Sequence, residues 1–93
     1  MSTADVKSAH TAADAQLVSG PARLKSVYLV ATTGATNHCV FYNGTSASDP
    51  VLLELDTAHG SVVDVMIPGT GILFDSGIYV DTGDAQTVTI FYG

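Results

Sequence analysis

The sequence has few of the residues on which catalysis and nucleic-acid binding depend. It contains one Cys, no Trp, three His and only three Lys or Arg among 93 residues. A single Cys excludes an internal disulfide framework, and three cations are too few to neutralise a row of phosphates. We therefore expect neither a disulfide-stabilised scaffold nor a nucleic-acid partner.

Long apolar segments are missing as well. No apolar run approaches the ~18 residues of a membrane-spanning helix, and the N-terminal residues lack the apolar core of a secretory signal. We therefore expect a protein that is made in the cytoplasm and has no membrane partner.

Charge is the third scarce property. Charged residues make up 13% of the chain, against about 25% in a typical soluble domain. The net charge is −6, and eight of the nine acidic residues are Asp, which favours turns. Two explanations stay open: neighbouring molecules cover part of the surface, or Ser, Thr and Gly make up a polar but uncharged surface.

Short apolar segments between Gly-rich turns fill most of the chain. About eight strands at this spacing predict a single all-β domain, either a small antiparallel β-sandwich or a jelly-roll-like barrel. The expected strands are Ala15–Val18, Ala22–Ala31, Thr36–Tyr42, two that begin at Val51 and Val62, Ile72–Phe74, Ile78–Asp81 and Gln86–Tyr92.

Three of these strands carry further predictions. Both faces of Ala22–Ala31 are apolar after Ser26, so we expect a central strand that is covered on both sides. In that strand Leu24 should share a face with Tyr28. The last two strands should form a hairpin over residues 82–85.

Residues 1–16 differ in composition from the rest of the chain. They are mainly Ala, Ser, Thr and Asp, with only a weak helical stripe of apolar residues. We predict a flexible N-terminal arm over residues 1–16 and a β-sandwich domain over residues 17–93; a frayed end without a role is the alternative.

Candidate catalytic and metal motifs are weak. Asp81-Thr82-Gly83 resembles the catalytic triplet of aspartic proteases, which need two carboxylates that share a proton, but only ten residues follow it, so we interpret it as a turn. Asp75, Asp81 and Asp84 lack the spacing of a calcium loop. We therefore predict no catalytic residue, no metal site and no cofactor.

The remaining candidates have structural explanations. His38 and Cys39 are strand neighbours that point to opposite faces, so they cannot act as a base and nucleophile pair. His10 and His59 should be solvated. Gly69 and Gly71 lack the following helix of a phosphate loop, so we predict that they are turn residues. The four tyrosines could stack on sugars, although packing is the simpler role; they are Tyr28, Tyr42, Tyr79 and Tyr92.

Three segments carry a family resemblance. They are Gly20–Lys25, Ile67–Phe74, and the C-terminal strands that contain Gly77–Val80 and Val88–Gly93. Over Gly20–Gly93 the chain resembles small virion structural proteins of tailed bacteriophages, including cyanophage and marine phage proteins. The resemblance implies a non-enzymatic protein of the virion.

Within a virion, we favour a capsid decoration (cement) protein, which clamps neighbouring capsid subunits. The expected partners are the major capsid protein or other virion proteins, together with further copies in a homo-oligomer such as a trimer. The arm Ser2–Gln16 and the loop Asn43–Pro50 are the expected contact elements. A neck, tail or fibre-adaptor component and a glycan-binding attachment module are the alternatives.

Overall fold

The structure, a computed structural model, describes residues 6–31, 37–57, 62–82 and 86–93. These residues form nine β-strands and contain no helix, and therefore none that could span a membrane. The strands are β1 (Lys7–Thr11), β2 (Ala15–Val18), β3 (Ala22–Ala31), β4 (Asn37–Asn43), β5 (Val51–Thr57), β6 (Val62–Met66), β7 (Ile72–Phe74), β8 (Ile78–Asp81) and β9 (Gln86–Tyr92).

The strands form two antiparallel sheets. The first sheet has the order β1-β9-β3-β6, with β7 also paired to β3, and the second has the order β2-β8-β4-β5. The short β7 can be left out, so that eight strands remain in chain order. The first of these pairs with the eighth (β1 with β9), the second with the seventh (β2 with β8), the third with the sixth (β3 with β6) and the fourth with the fifth (β4 with β5). This is the strand order of a jelly roll. The predicted all-β sandwich is confirmed.

The core lies between the two sheets. Because successive side chains of a strand point to opposite faces, each central strand buries alternate residues, such as Ile78 and Val80 in β8 and Val88 and Ile90 in β9. Full burial of such a side chain contributes about 1.5–3 kcal/mol. The other buried apolar residues are Ala22, Leu24, Val27, Leu29, Cys39, Phe41 and Phe74.

A β-bulge in β3 changes which residues face the core. The pairing of β3 with β9 shifts between Leu24 and Ser26, which leaves Lys25 as the extra residue. Leu24 therefore shares the buried face with Val27, and its predicted place beside Tyr28 is wrong. The strand is central, as predicted, but the predicted cover on both sides is also wrong, because Tyr28 is 43% exposed.

The N-terminal segment is part of the first sheet where an arm was expected. Residues 7–11 form β1, which pairs with β9 from Lys7 opposite Tyr92 to Thr11 opposite Val88. Half-buried Ala9 alternates here with exposed neighbours, a period-two pattern that small side chains made hard to detect. The predicted boundary at residue 17 falls within β2, and residues 1–5 lie outside the described ranges.

The predicted hairpin of the last two strands is wrong. Strand β8 belongs to the second sheet and β9 to the first, so the chain crosses between the sheets after Thr82. Among the described strands, β4 and β5 alone are both consecutive in sequence and paired. The error arises because short Gly-containing connections join strands of different sheets as readily as strands of one hairpin.

Candidate functional site

The outer side of the first sheet carries a group of exposed apolar side chains. Met66 of β6 and Phe91 of β9 lie on either side of Ser26 in β3, and Tyr28 is the next outward residue of β3. Met66 is 83% exposed. We call this surface the apolar face, and its residues are Tyr28, Val62, Met66, Leu73 and Phe91.

The apolar face contains few charges. Arg23 lies opposite Leu73, and Asp64 lies opposite Tyr28; the neighbouring outward residues are Ser26 and Thr89. The solvent side of an antiparallel sheet is usually polar. Contiguous exposed apolar surface is typical of binding sites, so this side of the sheet is a candidate interaction surface.

The three basic residues lie at one end of the same sheet. Lys7 is opposite Tyr92, which is also opposite Leu24, the residue between Arg23 and Lys25. Among the described residues, none of these cations forms an ion pair, since the ion pairs there all involve His38. Arg23 points to the outer side, because its partner is the exposed Leu73, whereas Lys7 shares the inner side with its partner Tyr92. The apolar face therefore has a basic end at Arg23, whose charge is available to an acidic partner.

The outer side of the second sheet has the opposite character. Its outward residues include Glu54 and Asp56 of β5 and Asp81 of β8, and its four strands contain no Lys or Arg. We call this surface the acidic face. It also carries Tyr42 and Tyr79, which lie opposite each other with ring centroids 6.1 Å apart and a 59° tilt.

Negative charge and partial burial affect Tyr42. Burial, followed by the charges of Asp81 and Glu54, raises the pKa of its hydroxyl. The phenol therefore stays protonated and can donate a hydrogen bond. A ring face beside carboxylates can stack on a sugar and hydrogen-bond its hydroxyl groups.

His38 forms a compact cluster with two carboxylates on the acidic face. It lies directly opposite Asp56 in the β4–β5 register, and its Nδ1 is hydrogen-bonded to the Asp56 carboxylate. The Glu54 Oε2 atom lies 3.7 Å from the same nitrogen. The hydrogen bond and charge of Asp56, assisted by the charge of Glu54, raise the pKa of His38.

The predicted contact loop Asn43–Pro50 is held in place by its own side chains. The Asp49 carboxylate accepts hydrogen bonds from the backbone N–H groups of Thr45 (2.8 Å) and Ser46 (3.1 Å). The Asn43 amide donates to Asp75 at 2.8 Å, and this hydrogen bond lowers the pKa of the Asp75 carboxyl. The loop thus has a defined shape, although its role in binding stays a prediction.

The Asp81-Thr82-Gly83 motif has a structural role at Thr82. The backbone N–H and hydroxyl of this buried residue donate to Asp14 Oδ1, at 2.8 and 3.1 Å. The bonds tie the segment before β2 to the end of β8. Gly83 and Asp84 lie outside the described residues. Of the other calcium candidates, Asp75 precedes β8 and Asp81 is its last residue, so the two lie at opposite ends of this strand.

The His and Cys predictions have mixed outcomes. His38 and Cys39 point to opposite faces, as predicted, and burial raises the pKa of the Cys39 thiol to about 12. His10 is exposed but shares a 2.8 Å hydrogen bond with the Thr89 hydroxyl. His59 lies outside the described residues.

The glycine prediction is confirmed. Gly69 and Gly71 belong to a turn, with φ angles of +70° and +88°. These angles lie in the region that glycine adopts at low cost. A side chain at Gly71 would also meet the backbone of Leu24.

Sequence reasoning missed both surfaces. The alternation in β6 puts Val62 and Met66 on one face, which the structure shows to be the outer one, but their proximity to Phe91 depends on the order of the strands in the sheet. Likewise, His38 meets Asp56 only through the β4–β5 register, and a seven-residue loop does not specify that register.

The comparisons with known proteins are negative: no protein-family model, curated protein or solved structure matches this chain.

Proposed function

We propose that this chain is a structural virion protein of a tailed bacteriophage, and that it binds the capsid surface as a decoration protein. The apolar face with its basic end is the observation that carries the proposal. The tailed-phage particle is what the sequence resemblance over Gly20–Gly93 implies. On this proposal the chain is not an enzyme, and its partners are the major capsid protein and further copies of itself.

The composition of the apolar face supports a protein partner. Aromatic residues, Met and Arg are enriched in protein interfaces, whereas other charged residues are depleted at their centre. Tyr28, Met66 and Phe91 have this character, and Arg23 lies on the same side of the sheet, opposite Leu73. Binding energy concentrates in a few such side chains, so a small face can attach each copy.

The charge distribution indicates the type of surface that the partner offers. The free guanidinium group of Arg23 at one end of the face would pair with a carboxylate on an acidic partner. The many equivalent sites on a capsid would strengthen attachment further, because copies that contact one another as well as the capsid bind with higher avidity. The jelly roll also occurs in viral capsid proteins, although the fold by itself does not determine function.

A matched pair of substitutions tests the proposal. Val62 lies on the apolar face and Val51 at the start of β5, and they are 54% and 50% exposed. Val62→Lys should weaken binding to decoration-free particles by at least about tenfold, or ~1.4 kcal/mol, because the ammonium group would lose its water in the interface. Val51→Lys should bind like the wild type.

Sedimentation of particles with each purified protein measures this difference. Equal binding of the Val62→Lys and Val51→Lys proteins would refute a role for the apolar face. Failure of the wild-type protein to bind would refute the decoration proposal itself. Copy number separates the remaining virion roles, because a decoration protein is present in many copies and a neck or tail component in few.

The tyrosine pair supports a second candidate function, glycan binding. Tyr42 and Tyr79 lie on the acidic face, where their rings and nearby carboxylates could hold a sugar. A glycan array with the wild-type protein, followed by titration of the best ligand, tests this function. Tyr42→Ala should abolish sugar binding while Tyr28→Ala preserves it, and an array without a ligand would remove the candidate.

A further inference from the structure

The cluster of His38, Glu54 and Asp56 brings together three different metal-ligand groups. One ligand atom from each side chain lies within 4.8 Å of the other two. His38 and Asp56 are cross-strand partners, and Glu54 is two residues before Asp56 on the same side of β5. A paired β-hairpin therefore holds the three ligands with little need for backbone rearrangement.

The surroundings of the cluster favour a cation. The four strands of the second sheet carry no Lys or Arg. Asp81 of β8 adds a further negative charge near the cluster, because it lies opposite Val40, which is two residues after His38 in β4. The basic residues Lys7, Arg23 and Lys25 all belong to the first sheet. A positive ion at the cluster would offset negative charge that no Lys or Arg of this sheet balances.

The ligand types distinguish between metals. Imidazole nitrogen with carboxylate oxygen suits Zn²⁺ and similar transition metals, whereas Ca²⁺ and Mg²⁺ prefer oxygen alone. The side chains of the cluster are 54–65% exposed, so water or a group from another molecule can reach the ion. Three protein ligands with an open position are typical of accessible zinc sites.

We propose that His38, Glu54 and Asp56 form a binding site for one Zn²⁺-like divalent ion on the outer side of the second sheet. The site lies on the sheet opposite the apolar face and does not depend on the proposed virion role. The ion would cross-link β4 and β5 and leave a coordination position for water or a partner's side chain.

Calorimetric titration of the tag-free protein with zinc chloride tests the site. The wild type should bind one equivalent, and His38→Ala should bind at least about tenfold more weakly, since loss of even an outer-shell partner costs roughly that much. His10→Ala is the matched control: His10 is also an exposed strand residue, but its partner is the Thr89 hydroxyl. It should retain wild-type affinity.

A second pair of variants separates ligation from general charge. Asp56→Asn should weaken zinc binding as His38→Ala does, while Asp64→Asn removes one negative charge from the first sheet and should have no effect. Circular dichroism confirms that each variant is folded. The proposal is overturned if the wild type does not bind one equivalent of zinc, or if the His38→Ala and His10→Ala proteins bind zinc with equal affinity.

Discussion

Replacement of Asp14 by Ala should destabilise the protein through its effect on Thr82. Thr82 is 1% exposed, and its N–H and hydroxyl groups both donate to Asp14 Oδ1. The substitution removes this shared acceptor from two buried donors. A buried donor that loses its acceptor costs about 1–3 kcal/mol, so we expect a loss of roughly 2 kcal/mol in the free energy of unfolding.

Thr82→Val should cost less than Asp14→Ala. It removes the hydroxyl but leaves the backbone N–H, which still donates to Asp14. For a domain of this size, 1 kcal/mol corresponds to about 4–8 °C in Tm. Asp14→Ala should therefore lower Tm by roughly 8–16 °C, and Thr82→Val by about half as much.

Urea and thermal denaturation followed by circular dichroism measure both variants. Asp64→Ala is the control, because Asp64 is an exposed strand residue whose replacement should change stability by no more than about 0.5 kcal/mol. If Asp14→Ala is as stable as this control, or if Thr82→Val is the more damaging change, the structural role assigned to Asp14 is refuted.

Three further predictions concern the rest of the fold. Cys39, whose pKa burial raises to about 12, should react with a disulfide reagent only as fast as the protein opens; rapid labelling would contradict its burial. Gly77→Ala should lower Tm, because the new methyl would lie 2.8 Å from the Val18 carbonyl oxygen at a φ of +121°; an unchanged Tm would contradict this. Deletion of residues 1–11, which removes β1 and keeps Asp14, should lower the urea midpoint and promote self-association in sedimentation experiments, because loss of β1 exposes an edge of β9; a monomer of full stability would show that β1 is dispensable.

The sequence was sufficient to predict individual strands. Alternation in Val62–Met66 separates the two faces of the strand correctly, and Ile72–Phe74 is identified by its apolar run between turns. These features are local, so they can be derived from the periodicity of a strand and the chemistry of its turns.

Features that depend on a partner strand could not be predicted. The bulge at Lys25 exists only in the pairing of β3 with β9, and it reversed the predicted face of Leu24. The crossing between β8 and β9 follows from the order of the sheets. The same reason explains why the apolar face and the His38 cluster went unrecognised, since each combines residues from different strands.

The central claim is that the apolar face is the surface by which this protein joins a virion. Oxidation of Met66 tests it most directly, because this side chain is 83% exposed and its thioether reacts readily with dilute peroxide. Mass spectrometry should find fast oxidation in the free protein and strong protection in protein bound to purified particles. Equal oxidation rates in the two states would contradict the account.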